Sequence, residues 1–468
     1  MRMMPGMSFS TRCLLLFALA AGACSNNDPV RHIPDAPVEI DAPPAPTCPA
    51  LTGQEVAHST DITTAETWGG DGTVHHITFG ITIRAGGSLT LAPCAIVKID
   101  SGLILTVTGT VAAPAKLVSL GTASQPVLLT NAVAGQKWGM WRGLSPDSTF
   151  DLSYTTLESG GNNGTHGCAL NARANAPGES AAVPIVRANH LTIKDSAGTG
   201  IVLESGAAFT ADSTQLTVTG GGTTPQGDYA IELSQIAAGT LPPLTVSGNV
   251  HDAIRIEGGT LYISRDLTLK KLGVPYYFYF DRVRISDQAG LVIPTLTIQP
   301  GVEVRFDDYL QVGYVNPGTS NTPGKLIAVG TVAEPIVFTS SKTVRAAGDW
   351  PGIHLFNSPG SRLEHVRIEY AGGFNGISSS NCKPAGSTDN AALFVGSATY
   401  SYIPAATDFV DVNILNSASH GINAMWETSG ALAPDLTAGF TFTAINGCKQ
   451  TKNRTTIACP GGNGCTVN

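Results

Sequence analysis

The sequence predicts an all-β solenoid, in which short strands stack turn upon turn because none can bury its apolar face alone. Three observations lead there. Apolar and polar residues alternate over short runs. In "VEVRF", Val302, Val304 and Phe306 share one side, and Glu303 and Arg305 the other. In "HVRIEY", Val366, Ile368 and Tyr370 alternate with His365, Arg367 and Glu369. Such runs end at Gly, Pro, Asn, Asp or Ser, and no segment sustains a helical period. Finally, long blocks of the chain recur in order.

Composition agrees. Only 13% of the 468 residues are charged, against about 25% in an ordinary soluble domain. The 53 glycines suit many tight turns. A formal charge of −8 and the absence of any basic run exclude a nucleic-acid or anionic-membrane surface.

Residues 1–23 read as an export signal. Arg2 and Arg12 precede the apolar "CLLLFALAA", Cys13 to Ala21, which is too short to span a bilayer as a helix. Gly22, Ala23 and Cys24 follow. The pattern resembles a bacterial lipoprotein signal, although Ala21 stands where that family prefers Leu. The resemblance implies cleavage before Cys24 and lipidation of it. Ser25, in place of Asp, implies outer-membrane delivery, so a lipid-anchored protein of the outer membrane or cell surface is expected. Residues 24–47 are rich in proline and poor in large apolar groups, and read as an extended tether.

The body divides into two related halves, residues 48–245 and 246–445. "LTLAPCAIVKIDSGL" from Leu89 matches "LTIQPGVEVRFDDYL" from Leu296, and "KLVSLGTASQPVLLTN" from Lys116 matches "KLIAVGTVAEPIVFTS" from Lys325. "WRGLSPDS" from Trp141 pairs with "WPGI" at Trp350 and "SPGS" at Ser358, and "LESGG" from Leu157 with "IEYAGG" from Ile368. Asn163-Gly164 and Asn375-Gly376, which could signal hairpins, sit in long Gly-rich loops, 159–182 and 371–392. The motif Gly324, Leu326, Gly330, Thr331, Pro335, Ile336, then Trp350, Gly352 and Ile353, resembles the rungs of right-handed parallel β-helix surface lipoproteins of Gram-negative bacteria, in the pectate-lyase-like fold superfamily. Residues 446–468 form a cysteine-containing tail.

Beyond Cys13 and Cys24 there are seven cysteines, and export favours disulfides among them. Cys48–Cys94 is the preferred pair, since both flank the start of the solenoid. Cys448, Cys459 and Cys465 can supply one bridge in the tail. A Cys168–Cys382 bridge is not expected. No zinc spacing occurs, and no metal or cofactor is expected.

Candidate site residues are few. Asp307 and Asp308 form a carboxylate pair at a strand end. Polygalacturonase-like hydrolases carry such a pair, but also need Asn-x-Asp, Gly-His-Gly and Arg-x-Lys. Here Ser419-His420-Gly421 is the nearest match and no Arg-x-Lys follows. Asp100 is the counterpart of Asp307, whereas Ser101 stands opposite Asp308, so Asp307 reads as scaffold. His365, Arg367 and Glu369 should line one outward row. Tyr277 and Tyr279 of "PYYFYF" should face outward, where tyrosines can stack on sugar rings. His75-His76 holds the equivalent place in the first half. No nucleophile elbow, phosphate-binding loop or other catalytic motif is present. The expectation is a non-enzymatic envelope lipoprotein for binding, adhesion or structure, with a polysaccharide or other surface ligand. The alternative is a lyase or glycoside hydrolase acting on an acidic polysaccharide, with Ca²⁺ only in the lyase case.

Overall fold

The computed structural model describes residues 47–163, 167–175, 181–222, 229–257, 261–279, 282–316, 320–374, 390–396, 404–424, 435–451 and 465–466. The other residues, which include Cys24, Cys382 and Cys459, lie outside the described set, as does the side chain of Cys465.

The body is a parallel β-helix. Each turn contributes three short strands, and each strand pairs in parallel with its counterparts one turn before and after. Serial parallel pairing of this kind stacks Ser88–Leu91 on Ala115–Leu120, Ile96–Ile99 on Val127–Asn131, and Ile104–Val107 on Met140–Gly143. We call these three columns the first, second and third faces of the first half. The alternating sequence puts every second residue inside. Leu89, Leu91, Val97, Ile99, Leu105 and Val107 are each at most 1% exposed. Aromatic residues fill the second half's interior: Phe306 stacks on Phe278 at 5.6 Å and on Trp350 at 5.1 Å. Burying such rings contributes on the order of 2 kcal/mol each.

The two halves repeat the same order of strands, but not in phase. Glu303–Phe306 is the counterpart of the second-face strand Ile96–Ile99. It does not continue the second face. It stacks on Tyr276–Phe278, which stacks on His251–Glu257, the strand that continues the first half's third face past the junction. The second copy is therefore turned by one face relative to the first. The third face runs without interruption from Thr82–Ile83 to Phe440–Thr443, through thirteen strands. The other two columns break at the junction. There the helix Gln235–Ala238 fills the place of a strand, and new columns start at Leu261–Ile263 and Leu267–Leu269.

The corners are sharp because residues there adopt left-handed backbone. Ser159, Asp195, Gly220 and Gly248 form one such row, with φ from +53° to +69°. Tyr370, Asn416 and Ala444 form its counterpart, at +53° to +59°. Each row is a hydrogen-bonded ladder: Ser159 N–H donates to Lys194 O at 2.9 Å, and Asp195 N–H to Thr219 O at 2.9 Å. Tyr154, His190, His365 and Asp411 turn the preceding corner in the same way.

Three expectations are corrected. The stretch 159–182 is not one loop: Cys168–Arg173 is a third-face strand, with Cys168 buried and unbridged. The counterpart of Trp350 is Trp138, not Trp141. Trp138 Nε1 donates to Glu158 O at 2.7 Å and Trp350 Nε1 to Glu369 O at 2.7 Å, and both rings are fully buried. His365, Arg367 and Glu369 do not form one outward row. His365 sits at φ +49°, so the strand turns beneath it, and Glu369 is only 8% exposed.

The Cys48–Cys94 disulfide is present and pins the start of the solenoid. Cys448 is disulfide-bonded as well. Gln450–Thr451 stacks on Ile422–Asn423, so the tail begins as a further strand. No helix among the described residues is long and apolar enough to cross a membrane.

Candidate functional site

The uninterrupted third face lines up single outward residues that are far apart in sequence. Arg142 pairs in register with Asn171, and Asn171 with Val202. Glu232, Arg255, Tyr277, Arg305 and Thr339 follow, one per strand. At the sheet spacing of about 4.8 Å these eight positions cover roughly 34 Å. Beside this row runs a second, with Arg173 opposite Glu204, and Glu257 opposite Ser234. The strands' period of two places both rows outside, while their neighbours Trp141, Leu170, Ile231 and Ile254 fill the core.

Arg255 is the centre of this surface and is 9% exposed. It pairs with Glu257, and with Glu232 at 3.6 Å. Its guanidinium lies 4.0 Å from the centre of the Tyr279 ring and 5.4 Å from that of Tyr229, a cation–π arrangement that also covers the charge. Burial pushes the Glu232 carboxyl up to about 8. A hydrogen bond to Glu257, and that residue's charge, push the same way, while Arg255 opposes them.

Tyr277 donates its hydroxyl to Asp307, which also accepts from Ser341. Burial, and then the bond to Asp307, raise the Tyr277 phenol. The first half repeats this pair: His76 bonds Asp100 at 2.9 Å, and His76 lies beside Lys98 as Tyr277 lies beside Arg305. Asp307 is therefore a shared scaffold residue. Asp308 sits in the bend after Phe306 and accepts from the Tyr309 backbone N–H at 2.7 Å. The adjacent carboxylates serve a corner of the fold.

Toward the N-terminal end the surface opens into a pocket of about 260 Å³, lined by Arg142, Asn171, Arg173, Glu204 and Glu232 among others. Arg142 is held by Thr106 at 3.1 Å and Asn171 by Glu204 at 2.8 Å. Neither Arg142 nor Arg173 joins an ion pair among the described residues.

Of the residues singled out in the sequence, Tyr277, Tyr279 and Asp307 come together here. The others do not. His365 bonds Asp411 at 2.8 Å at a corner, and Arg367 pairs with Glu369 at 2.5 Å on the strand next to Thr339, whose hydroxyl donates to Glu369. Arg142, Arg173, Glu204, Glu232 and Arg255 escaped notice because each is one polar residue in an alternating strand. Projecting the outward position of every third strand onto one line would have found them. Among the described residues, no group of three His, Cys, Asp or Glu stands close enough to hold a metal ion. No family model, curated protein or solved structure matches the chain.

Proposed function

We propose that the protein is a lipid-anchored envelope protein of the outer membrane or cell surface that binds an extended saccharide polymer along its third face. The observation behind this reading is the axial row from Arg142 to Arg305, in which Glu232, Arg255, Tyr277 and Arg305 follow one another at a spacing of one strand. A polymer lying along the axis would pass Arg142, Asn171, Glu232 and Arg305, which are partly open to solvent. Tyr279, half exposed over Arg255, offers a ring face for a sugar. The signal-like residues 1–23 and the proline-rich segment 24–47 supply the anchor and reach in this reading. A panel of neutral and acidic polysaccharides tests it. Binding should weaken at least fivefold in Tyr279→Ala, and material should stay uncleaved. Absence of binding to every polymer defeats the reading. Cys24→Ser should release the protein from the membrane fraction.

One observation favours the enzymatic alternative, depolymerisation of an acidic polysaccharide. Glu232, its carboxyl raised by burial, has the direction of shift a general acid needs. Of the two carboxylates near it, Glu257 is hydrogen-bonded to it and Glu204 is held by the Asn171 amide. Glycosidase pairs stand about 5 Å or more apart to flank the scissile bond. This geometry supports binding over hydrolysis. Polymer chain-shortening that is lost in Glu232→Gln would reverse the preference.

A further inference from the structure

We infer that the pocket between Arg142 and Glu232 is a subsite for one carboxylate-bearing sugar unit of the polymer. The inference rests on the polymer-binding reading above and names the class of sugar.

The argument is one of charge and donors. Arg142 and Arg173 both line the pocket, on adjacent strands, and no acidic side chain among the described residues pairs with either. Every other arginine on this face is engaged: Arg255 with Glu232 and Glu257, and Arg305 with Glu303 at 2.7 Å. Glu204 also lines the pocket, but its carboxylate accepts from the Asn171 amide, which fixes both groups. Glu232 closes the far end, its carboxyl raised by burial and by its hydrogen bond to Glu257. The pocket then holds two guanidinium groups that no carboxylate among the described residues engages, beside a Glu204 already occupied by Asn171. Arg142 is held in place by its bond to Thr106, so little side-chain freedom is lost on binding. A guanidinium meets a carboxylate through two parallel N–H donors, a match a hydroxyl cannot supply. The volume of about 260 Å³ suits a single sugar ring and not a longer segment. Pyranose hydroxyls would be left to Glu232 and to the tyrosines beyond it.

The test is calorimetric titration of the full chain with three oligosaccharides of equal length: a uronate, its neutral methyl ester, and a sulfated neutral sugar. The uronate should bind about tenfold tighter than the ester. Arg142→Gln and Arg173→Gln should each cut that preference at least threefold, the loss falling on the uronate far more than on the ester. Thermal unfolding of each variant confirms that it is folded. Equal affinity for uronate and ester overturns the subsite, as does a preference that survives both substitutions. Tighter binding of the sulfated sugar overturns the carboxylate assignment. Failure of all three oligosaccharides to bind defeats polymer binding itself, a different outcome from loss of discrimination.

Discussion

Homologous strands of the two halves present different chemistry to the outside. In the first half, Ile104–Val107, Met140–Gly143, Cys168–Arg173 and Thr199–Glu204 turn Thr106, Arg142, Asn171 and Val202 outward. Their counterparts, Tyr309–Val312, Ile353–Leu355, Ala391–Val395 and His420–Ala424, turn out Gln311, His354, Phe394 and Asn423. Arg142 and Asn171 remain partly open to solvent, whereas none of the second set is more than 6% exposed. His354 lies 4.4 Å from the Tyr309 ring and 4.3 Å from that of Phe394, and neither ring nitrogen has a partner. The inward residues of both sets stay apolar. Duplication preserved the core and left the outward positions free to diverge, one copy into a polar groove and the other into a covered layer.

The largest expected effect tests whether the copies share a core. Trp138→Ala and Trp350→Ala should each cost about 3–5 kcal/mol in denaturant unfolding, with losses of similar size. A large loss in only one would break the equivalence drawn from their matched indole bonds.

Next come the two divergent outward groups, which should tilt the pH profile in opposite directions. Burial holds the His354 imidazole down at about 3, with Arg282 adding to the effect. Between pH 6.5 and 3 the unfolded chain takes up the proton and the folded one does not, so stability falls as pH falls through that window. His354→Phe should flatten this acid limb and raise stability near neutrality by about 1 kcal/mol, because two unpaired polar atoms leave the interior. Glu232 behaves in reverse. Its folded value of about 8 lies above the ordinary 4.5, so its contribution is complete below pH 4.5 and is lost as pH rises to 8. Glu232→Gln should flatten that alkaline decline. Unchanged melting profiles from pH 4 to 9 in both variants would remove the contrast.

The smallest effect concerns the corners. Asn416→Gly should leave stability unchanged or raise it by under about 1 kcal/mol, because glycine holds a positive φ without strain. The first half's own ladder passes from Asp195 to Gly220 at the same conformation. A loss above about 1 kcal/mol in thermal unfolding would show that the asparagine side chain matters beyond its backbone angle.

Much of the scaffold was legible in the sequence. Period-two runs such as "VEVRF" and the recurring blocks led to stacked parallel strands, and Cys48–Cys94 followed from their positions at its start. The corners were not legible. Tyr154, His190, His365 and Asp411 turn the chain without the glycine or proline that marks a bend, because the stack over-determines their angles. That is why His365 was read into a row it does not join. The groove was half legible. Tyr277, Tyr279 and Asp307 stood out by local composition, whereas Arg142, Glu232 and Arg255 acquire meaning only once the turns are in register.

The phase difference between the halves has a consequence for how such a molecule changes over time. A turn has three sides, so gaining or losing a single strand with its corner swings every later segment round to the neighbouring azimuth. The interior hardly registers the change, since inward side chains still meet inward side chains. The junction near Gln235–Ala238 bears the marks of such an event, with two columns ended and restarted around a short helix. Lengthening a solenoid and re-aiming its surface are thus separate operations, and small insertions at a seam can bring residues from unrelated copies onto one line.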